Sequence, residues 1–344
     1  MATTLARDAR SRVAARTRWV WPLSVGVLAV VVCASLLWGV RDIPFEVAWE
    51  ALLAHDPSNA DHVVIWNQRM PRTLIGLLAG AALGVAGALL QGLTRNPIAD
   101  PGLLGINAGA SLAVISAIAL FGVTDPAGFV WFAFVGGATA AALVYAAATI
   151  GPEGPTPVTL TLLGAAVTAT ATSAITLVLL TDQSVFAEYR FWSVGALVNR
   201  PGELVLLILP VATVGLVLAA ASARFLDAVA LGEDLAKGLG QSINRGRLRV
   251  LAAAVLLAGG ATALVGPIAF VGLLVPHLAR ALAGTSYGRV LPVSAVLGPV
   301  VLLVADVLGR LLVRPAEVEA GVVVAFVGAP VLIWLVRHQK QVSM

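Results

Sequence analysis

Apolar runs dominate the chain, and polar residues gather in short breaks between them. A helix that crosses a bilayer needs about 20 mostly apolar residues. Ten segments reach or approach that length: 19–40, 71–93, 102–121, 126–150, 158–180, 204–222, 248–264, 267–283, 291–309 and 320–337. The pattern predicts an all-α integral membrane protein of about ten transmembrane helices, forming a single domain over residues 1–344. The seventh and eighth segments are divided only by Val265 and Gly266, so they read as two spans or as one broken hairpin. The first follows an Arg-rich tail at residues 1–18 and is too long for a signal-peptide core, which predicts a retained helix. Residues 41–70 read as a polar loop, with Trp49 and Trp66 suited to the aromatic belt of a membrane surface. Residues 223–247 are long enough for one or two short helices.

Composition closes the soluble alternatives. The chain is 59% hydrophobic and 12% charged, with a mean hydropathy of +0.94. A soluble domain carries about 25% charged residues, so lipid must replace water over much of this surface. The net charge is only +4, and the basic residues cluster in the tail and a few loops, which fits membrane orientation and not a nucleic-acid footprint. With a cytoplasmic N-terminus, 15 of the 22 Lys and Arg residues fall inside, which also places both termini in the cytoplasm. Cys33 is the one cysteine and the four histidines are scattered, so neither a disulfide framework nor a Cys/His metal cluster is expected.

Several chemistries are missing. No GxxxxGK[ST] loop is present to cradle phosphates. Acidic residues within the spans are scarce, Asp306 being the main one, whereas ion-coupled carriers bury several near the midplane. No hydroxyl nucleophile has a base at a useful spacing. Gly76, Gly80 and Gly84 put a small-residue groove on one helix face, for tight packing within the bundle or for a subunit interface.

Four strings then carry identity. They are Gln68-Arg69-Met70-Pro71-Arg72, the Arg95–Gly105 link Arg95-Asn96-Pro97-Ile98-Ala99-Asp100-Pro101-Gly102-Leu103-Leu104-Gly105, the loop Leu231-Gly232-Glu233-Asp234-Leu235-Ala236-Lys237-Gly238-Leu239-Gly240, and Gly266-Pro267-Ile268-Ala269-Phe270-Val271-Gly272-Leu273-Leu274-Val275-Pro276-His277. With Gly328-Ala329-Pro330, in this order, they make the chain resemble the FecCD/BtuC family over nearly its whole length. These are membrane subunits of ABC importers for iron-siderophores, haem and vitamin B12.

The resemblance implies a type II ABC importer permease fold in a bacterial plasma membrane. It implies two permease subunits, alike or different, around one pore. It also implies two separate ATPase subunits holding ATP and Mg, an extracytoplasmic substrate-binding protein, and no cofactor or nucleic acid on this chain. An iron(III)-siderophore is the expected cargo because it is the commonest in the family; haem and cobalamin are alternatives. Rival classes are a stand-alone secondary carrier and a non-transporting scaffold.

By the same resemblance, Leu231–Gly240 is the coupling segment that receives the ATPase stroke. Arg69, Arg72 and Arg310 would meet acidic residues of the docking protein. Thr156, Pro157, Val158 and Thr159 would form the cytoplasmic gate, although Gly151-Pro152-Glu153-Gly154-Pro155 replaces the basic residues usual before it. The plainer alternatives are a capped surface loop, arginines snorkelling at the interface, and a tight turn. Asp100 is expected to serve the start of the third helix, His277 to be structural, and residues 184–202 to form a short outer helix over the pore mouth.

Overall fold

The computed structural model describes residues 2–150, 155–197 and 201–339, and among them it contains helices and no strand. In chain order these are α1 (Ala2–Leu37), α2 (Phe45–Leu53), α3 (Ala60–Val64), α4 (Met70–Thr94), α5 (Ile106–Phe121), α6 (Pro126–Ile150) and α7 (Pro157–Thr181). They continue with α8 (Gln183–Ser193), α9 (Glu203–Ala230), α10 (Glu233–Gly238), α11 (Ile243–Val265), α12 (Val271–Ala283), α13 (Tyr287–Leu312) and α14 (Ala320–Gln339). The ten apolar segments correspond to α1, α4, α5, α6, α7, α9, α11, α12, α13 and α14. Seven of them are long and apolar enough to cross a membrane by length and composition alone, and α5, α12 and part of α14 form the shorter apolar set.

The central helices are those whose sequence lets backbones approach. A Cβ added at Gly80 would sit 2.6 Å from the Pro299 backbone, one at Gly84 would sit 2.7 Å from the Ser294 carbonyl oxygen, and one at Gly76 would strike Leu303. All three partners lie on α13, so the glycine groove of α4 serves packing inside this chain. α4 and α11 are therefore mostly buried, while α7 exposes most of its surface.

Of the seventh and eighth segments, the seventh is a full-length helix and the eighth is short. α12 has 13 residues, a rise of about 20 Å, less than the hydrocarbon thickness. The break lies at Gly266 (φ 80°) and Phe270 (φ 68°), and Pro267 between them cannot donate to a continuing helix. The Val265 carbonyl instead accepts a hydrogen bond from the Ala196 amide at 2.9 Å.

One stretch is more ordered than the polarity pattern suggested, and a second holds the short helix expected of it. Residues 41–70, expected as a loop, fold into α2, α3 and a π-helical turn (Ile65–Arg69) that runs directly into α4. Within 223–247, α9 continues to Ala230 and α11 begins at Ile243, leaving α10 between two turns. Contacts between helix ends define two poles of the bundle. Arg72, Asp306, Arg310 and Ser35 meet at one, and Arg95, Glu233 and Arg247 at the other.

Candidate functional site

At the Arg72 pole, three arginines face inward. The Arg72 guanidinium grips Asp306 side-on, with Nε 2.9 Å and Nη2 2.7 Å from Oδ1, and its Nη1 donates to Glu317 Oε2 at 2.7 Å. Arg310 lies one turn beyond Asp306 and pairs with its other oxygen at 2.8 Å. Asp306 is completely buried, and two guanidiniums against two carboxylates leave the cluster neutral.

Arg310 and Arg69 also finish α1. The last carbonyls of a helix lack intrahelical donors. Arg310 Nη1 donates to Ser35 and Trp38 oxygens at 3.0 Å each, and Arg69 Nη1 donates to the Leu36 and Leu37 oxygens. Positive charge at this helix end also complements its dipole. The Ser35 hydroxyl, hydrogen-bonded to Thr73 Oγ1 at 2.8 Å, completes the join between α1 and α4.

Arg69, Arg72 and Arg310 are between 2% and 8% exposed. The three arginines expected to meet a docking protein are each held by carboxylates or carbonyls of their own chain. Asp306 and Glu317 as their partners were not foreseen. The only sequence signal was the rarity of a carboxylate inside a span.

At the opposite pole the predicted coupling segment is a projecting element. Gly232 turns the chain out of α9 with φ 111°, a value only glycine adopts freely. α10 then runs from Glu233 to Gly238, and Gly240 (φ 79°) turns back toward α11. Ala236 is fully buried against the bundle, whereas Leu231, Leu235 and Leu239 are 61–65% exposed. Leu235 lies on α10 itself, and Leu231 and Leu239 flank it, beyond the Gly232 turn and at the C-terminal end. Glu233 fixes the element: Arg247 donates to its Oε1, and Arg95 lies 3.9 Å away. The Asp234–Lys237 pair is too exposed to contribute much.

Behind this pole, Asp227 of α9 accepts hydrogen bonds from the Tyr287 amide at 2.7 Å and the Ser286 hydroxyl at 3.0 Å, capping α13. Gln91 of α4 bonds to Arg280 of α12. Asp100 caps a short 3-10 turn (Pro101–Leu104) by accepting from the Gly102 amide at 2.8 Å, and burial pushes its carboxyl above the ordinary range. A Cβ at Gly164 would lie 1.7 Å from the Leu103 oxygen, so α7 seats directly on that turn.

The expected gate opens α7. The Thr156 hydroxyl accepts from the Thr159 amide at 3.2 Å and bonds the Thr159 hydroxyl at 2.7 Å, Pro157 occupies the first turn where its missing N–H costs nothing, and Val158 is exposed. Residues 151–154, which precede this gate, lie outside the described residues. Thr161, Thr168, Thr172 and Thr176 continue from it along one narrow face of α7. Their spacing of seven, four and four was visible in the sequence and went unused.

His277 is partly buried on α12, and among the described residues no group of three His, Cys, Asp or Glu side chains is placed to hold a metal ion. Of the short outer helix expected over 184–202, α8 occupies the first part and ends at Ser193, and residues 198–200 lie outside the described residues.

A model of the FecCD transport family matches residues 27–338. The chain belongs to this family. Both poles and α10 lie inside the matched region. Among FecCD relatives, the ferric enterobactin transport permease FepD of Escherichia coli is 43% identical over 316 residues, covering 92% of this chain and 94% of that one. The siderophore transport permease YfiZ of Bacillus subtilis is 38% identical over 312 residues, covering 91% and 93%. Among solved structures, an inward-facing metal-chelate type ABC transporter superposes with a TM-score of 0.82 at 25% identity, covering 93% of this chain and 99% of that one.

Proposed function

We propose that this chain is the permease subunit of a bacterial ABC importer, moving an iron(III)-siderophore complex into the cytoplasm. The observation that carries the reading is α10, a glycine-bounded projection with three exposed leucines, on a chain without a phosphate-binding loop. Large apolar side chains exposed at an aqueous pole call for a protein partner, and an ATPase that drives the bundle from that side meets the need. The Glu233 pole is then cytoplasmic, both termini are cytoplasmic, and Leu231–Gly240 is the coupling element.

α7 supplies half of a pore. Its threonine face is the polar side of a largely unburied span, and Thr176 Oγ1, bonded to the Thr172 oxygen at 2.8 Å, exemplifies hydroxyls satisfied within the helix. Such a wall contacts a large cargo weakly. Residues Thr156–Thr159 stand at its cytoplasmic end as the gate, a second permease subunit supplies the facing wall, and ATP and Mg are held by the two ATPase subunits. A substrate-binding protein docks at the Arg72 pole, where Arg69, Arg72 and Arg310 act by holding that surface in shape. The siderophore cargo is supported by the names of the relatives.

Proteoliposomes with the chain, its companion permease, the ATPase and a loaded binding protein are expected to take up radioactive ferric siderophore only with ATP. Uptake by the chain without the ATPase would overturn the reading in favour of a stand-alone carrier.

A further inference from the structure

α2 carries a feature that neither transport nor ATPase coupling uses. Phe45, Trp49 and Leu53, four apart, are 60%, 54% and 71% exposed. The Phe45 and Trp49 rings stack with centroids 6.4 Å apart. The inward side of the same helix is buried through Ala48 and Ala51, which pack with Ile43 and Ile65 as a small core separate from the main one. Glu46 and Glu50 follow the stripe around the helix and are exposed. Trp66 stands beside the end of α2, its indole N–H donated to the Ala51 oxygen at 2.7 Å, so the exposed part of the ring is apolar.

The level of this surface is set by α1. From Trp19, α1 exposes mainly apolar side chains, as a lipid-facing span does. Trp19 and Trp38 are both exposed and about 28 Å apart along the helix axis, close to the thickness of a bilayer's hydrocarbon core. Tryptophans at both limits mark the two interfaces. Arg69 ties the end of the turn before α4 to the Leu36 and Leu37 carbonyls, so the layer formed by α2 and α3 starts at the level of Trp38.

We infer that α2 is an interfacial anchor, lying along the outer membrane–water boundary with Phe45, Trp49 and Leu53 dipped among lipid acyl chains. The stripe lies on the element next to the end of α1, where the exposed apolar surface of that span reaches Trp38. Nine residues are too few to span but suffice to lie in the interface. Glu46 and Glu50 project toward the headgroups, which favours neutral over anionic lipid. By gripping the lipid, α2 holds the end of α1 and the start of α4 at fixed depth. The inference needs the chain to be membrane-spanning and is independent of what it transports.

The test uses the full chain with its copurifying partners in phosphatidylcholine nanodiscs, in a Cys33→Ala background because Cys33 is exposed. Nitroxide labels go on Trp49→Cys, on Leu53→Cys as a second variant that keeps both rings, and on Ser58→Cys in the exposed polar turn. The ratio of oxygen to nickel-chelate collision is expected to be at least about threefold higher at positions 49 and 53 than at 58. It is also expected to stay unchanged when a soluble binding protein is added. Equal ratios at the three positions would overturn the inference, as would shielding that appears only with the added protein.

Discussion

At the Arg72 pole, the guanidiniums of Arg69, Arg72 and Arg310 are turned inward onto carboxylates and helix-end carbonyls. At the Glu233 pole, two arginines hold one carboxylate, and three leucines stand in the open around it. The first arrangement joins α1, α4, α13 and the segment before α14 into one piece. The second leaves a short element attached to the bundle by its buried Ala236 and by Glu233. At the first pole charge is buried and paired, whereas at the second apolar side chains stand exposed.

The largest expected effect lies at the first pole. Asp306→Asn leaves Arg310 buried without its countercharge and Arg72 with only the half-buried Glu317, and is expected to cost about 3–5 kcal/mol, by analogy with broken buried ion pairs. The measurement is thermal unfolding in detergent, and an unchanged midpoint would show that the cluster is not a clamp. The contrasting change is the triple variant Leu231→Ser, Leu235→Ser and Leu239→Ser. Its melting should shift little, since exposed substitutions stay within about 0.5 kcal/mol. Its affinity for the ATPase should fall at least about 100-fold, as for truncation of interface hot spots. If the triple variant unfolds instead, or binds the ATPase normally, the division between the poles fails.

The smallest effect concerns α8. The Ser184 hydroxyl, and then the Ser184 and Val185 amides, hold the Asp182 carboxyl below its ordinary range. A carboxyl depressed in the folded state stabilises above its unfolded value and loses that contribution as pH falls through its folded one. Protection of the first α8 amides should therefore fall below about pH 4. Asp182→Asn should keep the cap and remove the pH dependence. Hydrogen exchange checks both.

Much of the fold was legible because spanning helices are written locally. Ten apolar segments became ten helices, and the fourth, 126–150, matches α6 at both ends. That residues 231–240 form a short helix between turns was legible too, since Gly238 and Gly240 are a local turn signal. The intrachain partners of the arginines were not legible, for the opposite reason. Arg72 and Asp306 are separated by 234 residues, and nothing near Arg72 records that a carboxylate awaits it. The polar look of residues 41–70 likewise hid α2, whose buried side is made of alanines and whose apolar side faces outward.

Sequence alone determined that this is a bundle of membrane helices, where the spans lie, and which segment forms a short helix between turns, because hydrophobic length and turn chemistry act over a few residues. Tertiary structure alone decided which arginines are free, that the glycines of α4 receive α13, and that α12 falls short of a full crossing. Those outcomes depend on which distant backbones and charges come together, and no local pattern encodes a partner hundreds of residues away.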